Sequence, residues 1–256
     1  MSARALAVCV AALAALTFGC GGQERKSSSA DGASGDSSPA KTAASRPSKQ
    51  TGPRKTVLFV GTSLTAGLGL DPEQAYPALI QAKIDSAGLP FRTVNAGYSG
   101  ETAAGARRRV ETWLIRQPFD VFVLETGSND MLRGLPVDST RAAIQASIDT
   151  VRAARPHARI VLAGMMALPN LGKRYGERFA AMYPELARKN QLTLIPFLLD
   201  SVGGRPELNQ QDGMHPNETG EKIVARTVWR VLEPVLREEA PAPAAAPKPA
   251  AAGAPR

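Results

Sequence analysis

The chain has 256 residues, 43% of them hydrophobic and 21% charged, with a formal charge of +8, two cysteines and two histidines. That length suits one or two domains. No apolar run reaches the roughly 18 residues of a membrane-spanning helix, which excludes a bundle of such helices. Cys9, Cys20, His157 and His215 are too few for a zinc finger or a disulfide scaffold. The charge is concentrated at the ends: residues 1–54 carry seven Lys/Arg against three Asp/Glu, and 55–239 carry 22 against 20. A nearly neutral middle argues against nucleic acid as a partner.

The N-terminus has the pattern of an export signal, with Arg4 followed by the apolar stretch Ala5 to Phe18. Leu16-Thr17-Phe18-Gly19-Cys20 resembles a bacterial lipoprotein signal, in which cleavage leaves the cysteine as a lipidated first residue. Thr17 and Phe18 depart from the usual pattern; the alternative is plain secretion, with Cys20 removed or left as a thiol. The expected location is therefore the periplasm or cell envelope, with a membrane partner if Cys20 carries lipid. Residues 21–54 are Gly, Ser, Ala, Pro and scattered charge without apolar periodicity, a composition that does not bury enough surface to order itself. As a flexible tether its 34 residues would span about 30 Å. The tail 240–256 is Ala-Pro-Lys low complexity.

Between these ends the chain alternates. Val57–Val60, Val121–Leu124 and Ile160–Ala163 are continuous apolar runs of the kind found in strands buried on both faces, with Phe91–Val94 and Leu192–Ile195 as weaker examples. Helical spacing marks about 74–87, 103–116, 139–154, 174–189 and 218–237, the last with Asn217 as its N-cap. Five strand–helix alternations predict an α/β fold: one three-layer α/β/α domain over 55–239 around a five-stranded parallel sheet. Ligands of such sheets bind at the carboxyl ends of the strands. Trp113 and Trp229 fall in the helical patterns and are expected to pack. Arg107-Arg108-Arg109 reads as a solvated helix face and His157 as a surface residue.

Four short segments follow strands or precede the last helix. Gly61-Thr62-Ser63-Leu64-Thr65-Ala66-Gly67 lacks the lysine of a P-loop, and Thr65 stands where an esterase elbow would carry a second glycine. Taken alone, a serine after the first strand is more often a cap or turn residue. Asn95-Ala96-Gly97-Tyr98-Ser99-Gly100 has glycines that let backbone N–H groups point into a cleft. Gly127-Ser128-Asn129-Asp130 offers an amide donor, though Asn and Asp also simply make turns. In Asp212-Gly213-Met214-His215-Pro216 the three-residue spacing lets a carboxylate reach one imidazole nitrogen and fix its tautomer.

In their order along the chain these segments resemble the SGNH hydrolases, also called GDSL esterases/lipases. Asn95-Ala96-Gly97, Gly100-Glu101-Thr102 and Asp212 through Asn217 bring the likeness closest to the bacterial acyl-CoA thioesterase/lysophospholipase/arylesterase branch. Thr62 departs from it, standing where the first block carries an acidic residue. The resemblance implies a flavodoxin-like α/β/α fold, a Ser63 nucleophile, His215 as its base and Asp212 as the orienting acid. It implies an oxyanion hole from the N–H groups of Ser63 and Gly97 and the Asn129 amide, and no metal or organic cofactor. The implied substrate is a small-molecule or lipid ester or thioester, lysophospholipids included, or else an O-acetylated cell-surface glycan. Met131, Leu132, Leu135, Met165, Met166 and Leu168 follow the third and fourth strands; they either wall an acyl groove or plug the top of the core. Two readings of another class stay open: a flavodoxin-like flavin binder, with the Ser/Thr-rich loop holding a phosphate, and a non-catalytic surface binding module.

Overall fold

The computed structural model describes residues 53–240. The candidate signal with Cys20, the tether up to Gly52 and the tail beyond Ala240 lie outside the described residues. The described chain folds as β1 (Lys55–Gly61), α1 (Ser63–Ala66), α2 (Tyr76–Ser86), β2 (Phe91–Gly97), α3 (Ala103–Thr112), β3 (Val121–Glu125), α4 (Ser128–Leu132), α5 (Val137–Ala154), β4 (Arg159–Ala163), α6 (Lys173–Lys189), β5 (Thr193–Ile195) and α7 (Glu218–Glu239). The strands form one sheet in the order β2-β1-β3-β4-β5, parallel throughout. This is the α/β architecture expected from the alternation of strands and helices.

The apolar runs become the central strands. β3 is buried along its whole length, and β1 and β4 are buried beyond their first residue, because helices cover the sheet. α2 packs beside α7, and α3 packs beside α5, which also touches α6. The weaker runs become the edge strands β2 and β5, which need fewer apolar side chains because only one neighbour flanks each. α7 begins where Asn217 Oδ1 accepts the N–H groups of Thr219 and Gly220, each at 3.0 Å.

Two differences from the expected helices have local causes. The pattern over 103–116 breaks at Thr112, where Trp113 leaves helical geometry (φ −129°) and a 3₁₀ turn over Leu114–Arg116 follows. Trp113 thereby leaves the inward stripe and is 54% exposed, a correction to its expected packing role, whereas Trp229 packs against the core. The helices α1 and α4, of four and five residues, are too short to show a period. His157 is exposed in the turn before β4.

The register decides where the site lies. Gly61 pairs with Gly97, and Glu125 pairs with Ala163, itself opposite Ile195. Val60 sits beside Leu124, so the strands end in one row. The chain passes from β1 out to β2 and then back across to β3, making the gap between β1 and β3 the topological switch point. Thr62 and Ser63 emerge at that gap.

Candidate active site

Beyond Gly61 the chain turns through Thr62 straight into α1, whose first residue is Ser63, and α1 ends at Gly67 in the left-handed region (φ 74°). A first-turn N–H has no intrahelical acceptor, so the Ser63 amide is free to serve a ligand. Ser63 is 8% exposed, with its hydroxyl turned to one partner. His215 Nε2 lies 2.8 Å from Ser63 Oγ, and His215 Nδ1 lies 2.6 Å from Asp212 Oδ2.

The loop carrying His215 is closed on itself. Asn209 and Pro216 form an antiparallel bridge, the Gln210 N–H donates to the His215 carbonyl at 2.8 Å, and Gly213 turns the tip at φ 70°. The Gln210 side chain then donates to the carbonyls of Pro216 (3.0 Å) and Leu68 (2.7 Å), tying this loop to the one after α1. Asp212 Oδ1 accepts the N–H groups of Met214 and His215 at 2.9 and 3.0 Å. Partial burial raises the Asp212 carboxyl, but the His215 N–H, the His215 ring and the Met214 N–H outweigh it and bring the carboxyl down to about 2. The acid facing the imidazole is therefore a carboxylate. In that state it accepts a hydrogen bond from Nδ1–H and leaves Nε2 as the acceptor toward Ser63.

The expected oxyanion donors fare differently. Gly97 is still inside β2, paired with Gly61; its N–H donates to Asn95 Oδ1 at 2.9 Å, and it does not line the cavity beside Ser63. An ideal Cβ on Gly97 would fall 2.2 Å from the Ala66 backbone nitrogen, so the glycine serves close packing of β2 on α1. Gly100, three residues later, lines the cavity. Its carbonyl is held by Arg133 at 2.8 Å, and its N–H has no partner among the described residues. The available signal was loop position: Gly61 faces Gly97 across the ladder, so the loop opens only after it. Asn129 lines the cavity as expected, and its amide donates to the Glu101 carbonyl at 3.0 Å, leaving the second N–H of that amide free for a ligand. Asp130, its neighbour, is buried and accepts from the Ala103 N–H at 2.7 Å and the Thr140 hydroxyl at 3.1 Å; burial raises its carboxyl.

Arg109 is not on a solvated face. Arg107 does pair with Glu111 at the surface, but Arg109 turns inward. Its guanidinium holds the Glu101 carboxylate at 2.6 and 3.0 Å and donates to the Ala96 carbonyl at 2.6 Å.

The cavity beside Ser63 and His215 has a volume of about 520 Å³. Met131, Leu132, Met165, Met166 and Leu168 line it. Met131 and Met165 are each 5% exposed and also belong to the core, so these two do both jobs; Leu132 and Met166 form the open rim. Leu135 is the exception: it lies outside the lining, at a turn where its carbonyl accepts from Tyr175 Oη at 2.9 Å. Leu68, Phe197, Leu199 and Met214 complete the apolar wall and were missed because they sit in irregular loops.

Serine, histidine and aspartate side chains thus meet at the switch point of a five-stranded parallel α/β sheet. The GDSL-like Lipase/Acylhydrolase family model matches residues 59–223, and the chain belongs to that family. It is 36% identical to "Esterase TesA" of Pseudomonas aeruginosa over 182 residues, covering 71% of this chain and 90% of that protein. It is 32% identical to "Thioesterase 1/protease 1/lysophospholipase L1" of Escherichia coli K12 over 184 residues, covering 72% of this chain and 86% of that one. A crystal structure of TesA superposes with a TM-score of 0.67 at 35% identity, covering 71% of this chain and 99% of that chain. This protein is an enzyme that acts on ester bonds.

Proposed function

We propose that the chain is an exported serine esterase whose acyl-enzyme forms on Ser63. One observation carries this: the unbroken series Asp212 Oδ2, His215 Nδ1, His215 Nε2, Ser63 Oγ, with links of 2.6 and 2.8 Å. Ser63 Oγ attacks the acyl carbonyl carbon while His215 Nε2 takes the hydroxyl proton, and Asp212 stabilises the imidazolium. Collapse of the tetrahedral intermediate breaks the bond to the leaving oxygen or sulfur, which receives that proton from His215. Water then repeats the sequence on the acyl-enzyme, and the carboxylic acid leaves. The oxyanion is met by the N–H groups of Ser63 and Gly100 and by Asn129 Nδ2, with Gly100 taking the place first assigned to Gly97. Each such donor typically supplies about 10²–10³-fold.

An apolar acyl chain suits a wall built from methionine, leucine and phenylalanine; burying each methylene contributes about 0.8 kcal/mol, or roughly threefold to fourfold in kcat/KM. Esters and thioesters of fatty acids, lysophospholipids among them, are the substrates this wall favours. Export rests on the signal-type segment ending at Cys20, and mass spectrometry of the mature N-terminus tests whether that cysteine carries lipid.

The deciding experiment is hydrolysis of p-nitrophenyl esters of graded chain length by wild-type protein and Ser63→Ala. Wild type is expected to turn over, with kcat/KM rising with chain length until the groove is full, and the variant to be folded and inactive. Undiminished turnover by Ser63→Ala overturns the assignment. A fluorophosphonate probe should label wild type at Ser63.

A further inference from the structure

Glu125 ends β3 fully buried, outside both the triad and the cavity lining. Burial raises its carboxyl, while the surrounding donors pull the other way. Those donors all come from the turn that carries Ser63. Glu125 Oε2 accepts the Thr62 N–H at 2.7 Å and the Thr65 hydroxyl at 2.9 Å, and the Thr62 hydroxyl lies 3.0 Å from both carboxylate oxygens. Thr62 and Thr65 bracket Ser63 and Leu64, so one carboxylate grips the nucleophile turn on either side. Room for it exists because residue 61 is glycine: an ideal Cβ there would fall 2.6 Å from Glu125 Oε2 and 2.0 Å from Thr65 Oγ1.

The grip continues toward the histidine. With both threonine hydroxyls donating to the carboxylate, the Tyr76 hydroxyl, 2.8 Å from Thr65 Oγ1, donates to that oxygen. The Tyr76 N–H donates in turn to Glu221 Oε2 at 2.7 Å. Glu221 lies in the first turn of α7, six residues beyond His215. A buried series therefore joins the element under Ser63 to the helix that follows the histidine loop, independently of the His215–Ser63 contact itself.

We propose that Glu125, Thr65 and Tyr76 are positioning residues that hold Ser63 Oγ in line with His215. The role rests on the serine-hydrolase reading above. The serine and the imidazole come from elements 152 positions apart in the chain, and a displacement of about 1 Å between reacting groups costs on the order of 10²-fold. Thr62 fits the same scheme. An acidic side chain there would face Glu125 with a second carboxylate, whereas threonine adds a hydroxyl donor to the backbone N–H that either residue supplies.

The test compares Thr65→Val, which keeps the shape and removes the hydroxyl, with Thr65→Ser, which keeps the hydroxyl. Glu125→Gln and Tyr76→Phe accompany them. Thr65→Val and Glu125→Gln are expected to lower kcat on a p-nitrophenyl ester about 10- to 100-fold. KM should stay within about twofold, and fluorophosphonate labelling of Ser63 should slow in proportion. Thr65→Ser is expected to stay within about threefold of wild type, since its oxygen can occupy the same position. A folded Thr65→Val at wild-type kcat overturns the role, as does Thr65→Ser losing as much as Thr65→Val. Should Glu125→Gln and Thr65→Val both fail to fold, Tyr76→Phe decides by the same ratio of kcat to KM, its ring staying edge-on to Phe59. Wild-type protein inert to esters and probe removes the hydrolase reading and this role together. An active wild type with unimpaired variants removes only the role.

Discussion

Arg109 and Glu101 form a two-point ion pair, and the carbonyl of the same Glu101 accepts the Asn129 amide at 3.0 Å. A guanidinium on α3 thus holds the loop that presents Gly100 and, through it, orients Asn129. Replacing Arg109 by Ala should lower kcat/KM about 10-fold, the equivalent of about 1.4 kcal/mol in transition-state stabilisation. Lysine should not restore it, because an ammonium cannot span the Glu101 carboxylate and the Ala96 carbonyl in one fork. Steady-state kinetics of both variants on one ester check this; recovery by lysine would contradict the geometric account.

Asp212 should matter through its charge and not through its acid–base titration. Its carboxyl, lowered from 3.8 to about 2, makes a contribution that is complete above pH 4 and lost only as pH falls through about 2. Activity lost between pH 8 and 4 therefore does not come from this group. Asp212→Asn should reduce kcat by up to about 10⁴-fold, since the amide favours the wrong imidazole tautomer. A pH–rate profile of wild type together with the kcat of the variant checks both halves.

Gly97 and Gly100 should fail in different ways. A methyl group on Gly97 meets the Ala66 backbone at 2.2 and 2.7 Å, which no side-chain rotation relieves. Gly97→Ala should cost about 2 kcal/mol or more, lowering Tm by roughly 4–8 °C by calorimetry. Gly100→Ala meets nothing nearer than Arg133 at 4.0 Å, but its φ of 79° suits glycine. Its stability loss should be about 1 kcal/mol, and its main effect should be on kcat. Equal Tm values with unequal kcat values in the opposite sense would reverse the assignment of the two glycines.

Glu221 should make the fold sensitive to alkali. Burial pushes its carboxyl up from 4.5 to about 8, with the Tyr76 N–H offsetting only part of that. A raised carboxyl favours the folded state fully below about pH 4.5, and the benefit is lost as pH rises through about 8. Wild type should therefore be less stable at pH 9 than at pH 5, by an amount on the order of a few kcal/mol, and should melt at a lower temperature. Glu221→Gln should flatten that dependence. Thermal melts across this range check it.

The architecture was legible because its signals are local. Val57–Val60 and Val121–Leu124 are apolar without a break because helices cover both faces, and Asn217 announces α7 by capping it. The meeting of Ser63, His215 and Asp212 was legible for a related reason: Asp212 and His215 are three residues apart, and Ser63 lies two residues beyond the end of a buried strand. What failed was whatever depended on the neighbour. Arg109 looks like its two exposed companions until Glu101 is folded against it. Gly97 and Gly100 are alike in sequence, and only the pairing of Gly97 with Gly61 shows which one the strand retains.

From the sequence alone came the kinds of groups present, their order and their attachment to strand ends, since hydrophobic period and turn chemistry act over a few residues. The tertiary structure decided which groups meet. It brought His215 onto Ser63, enclosed Glu125 beneath the turn that carries Ser63 and aimed Arg109 at a strand end. These contacts join residues far apart in the chain, and parallel register together with helix packing, not local preference, sets their distances.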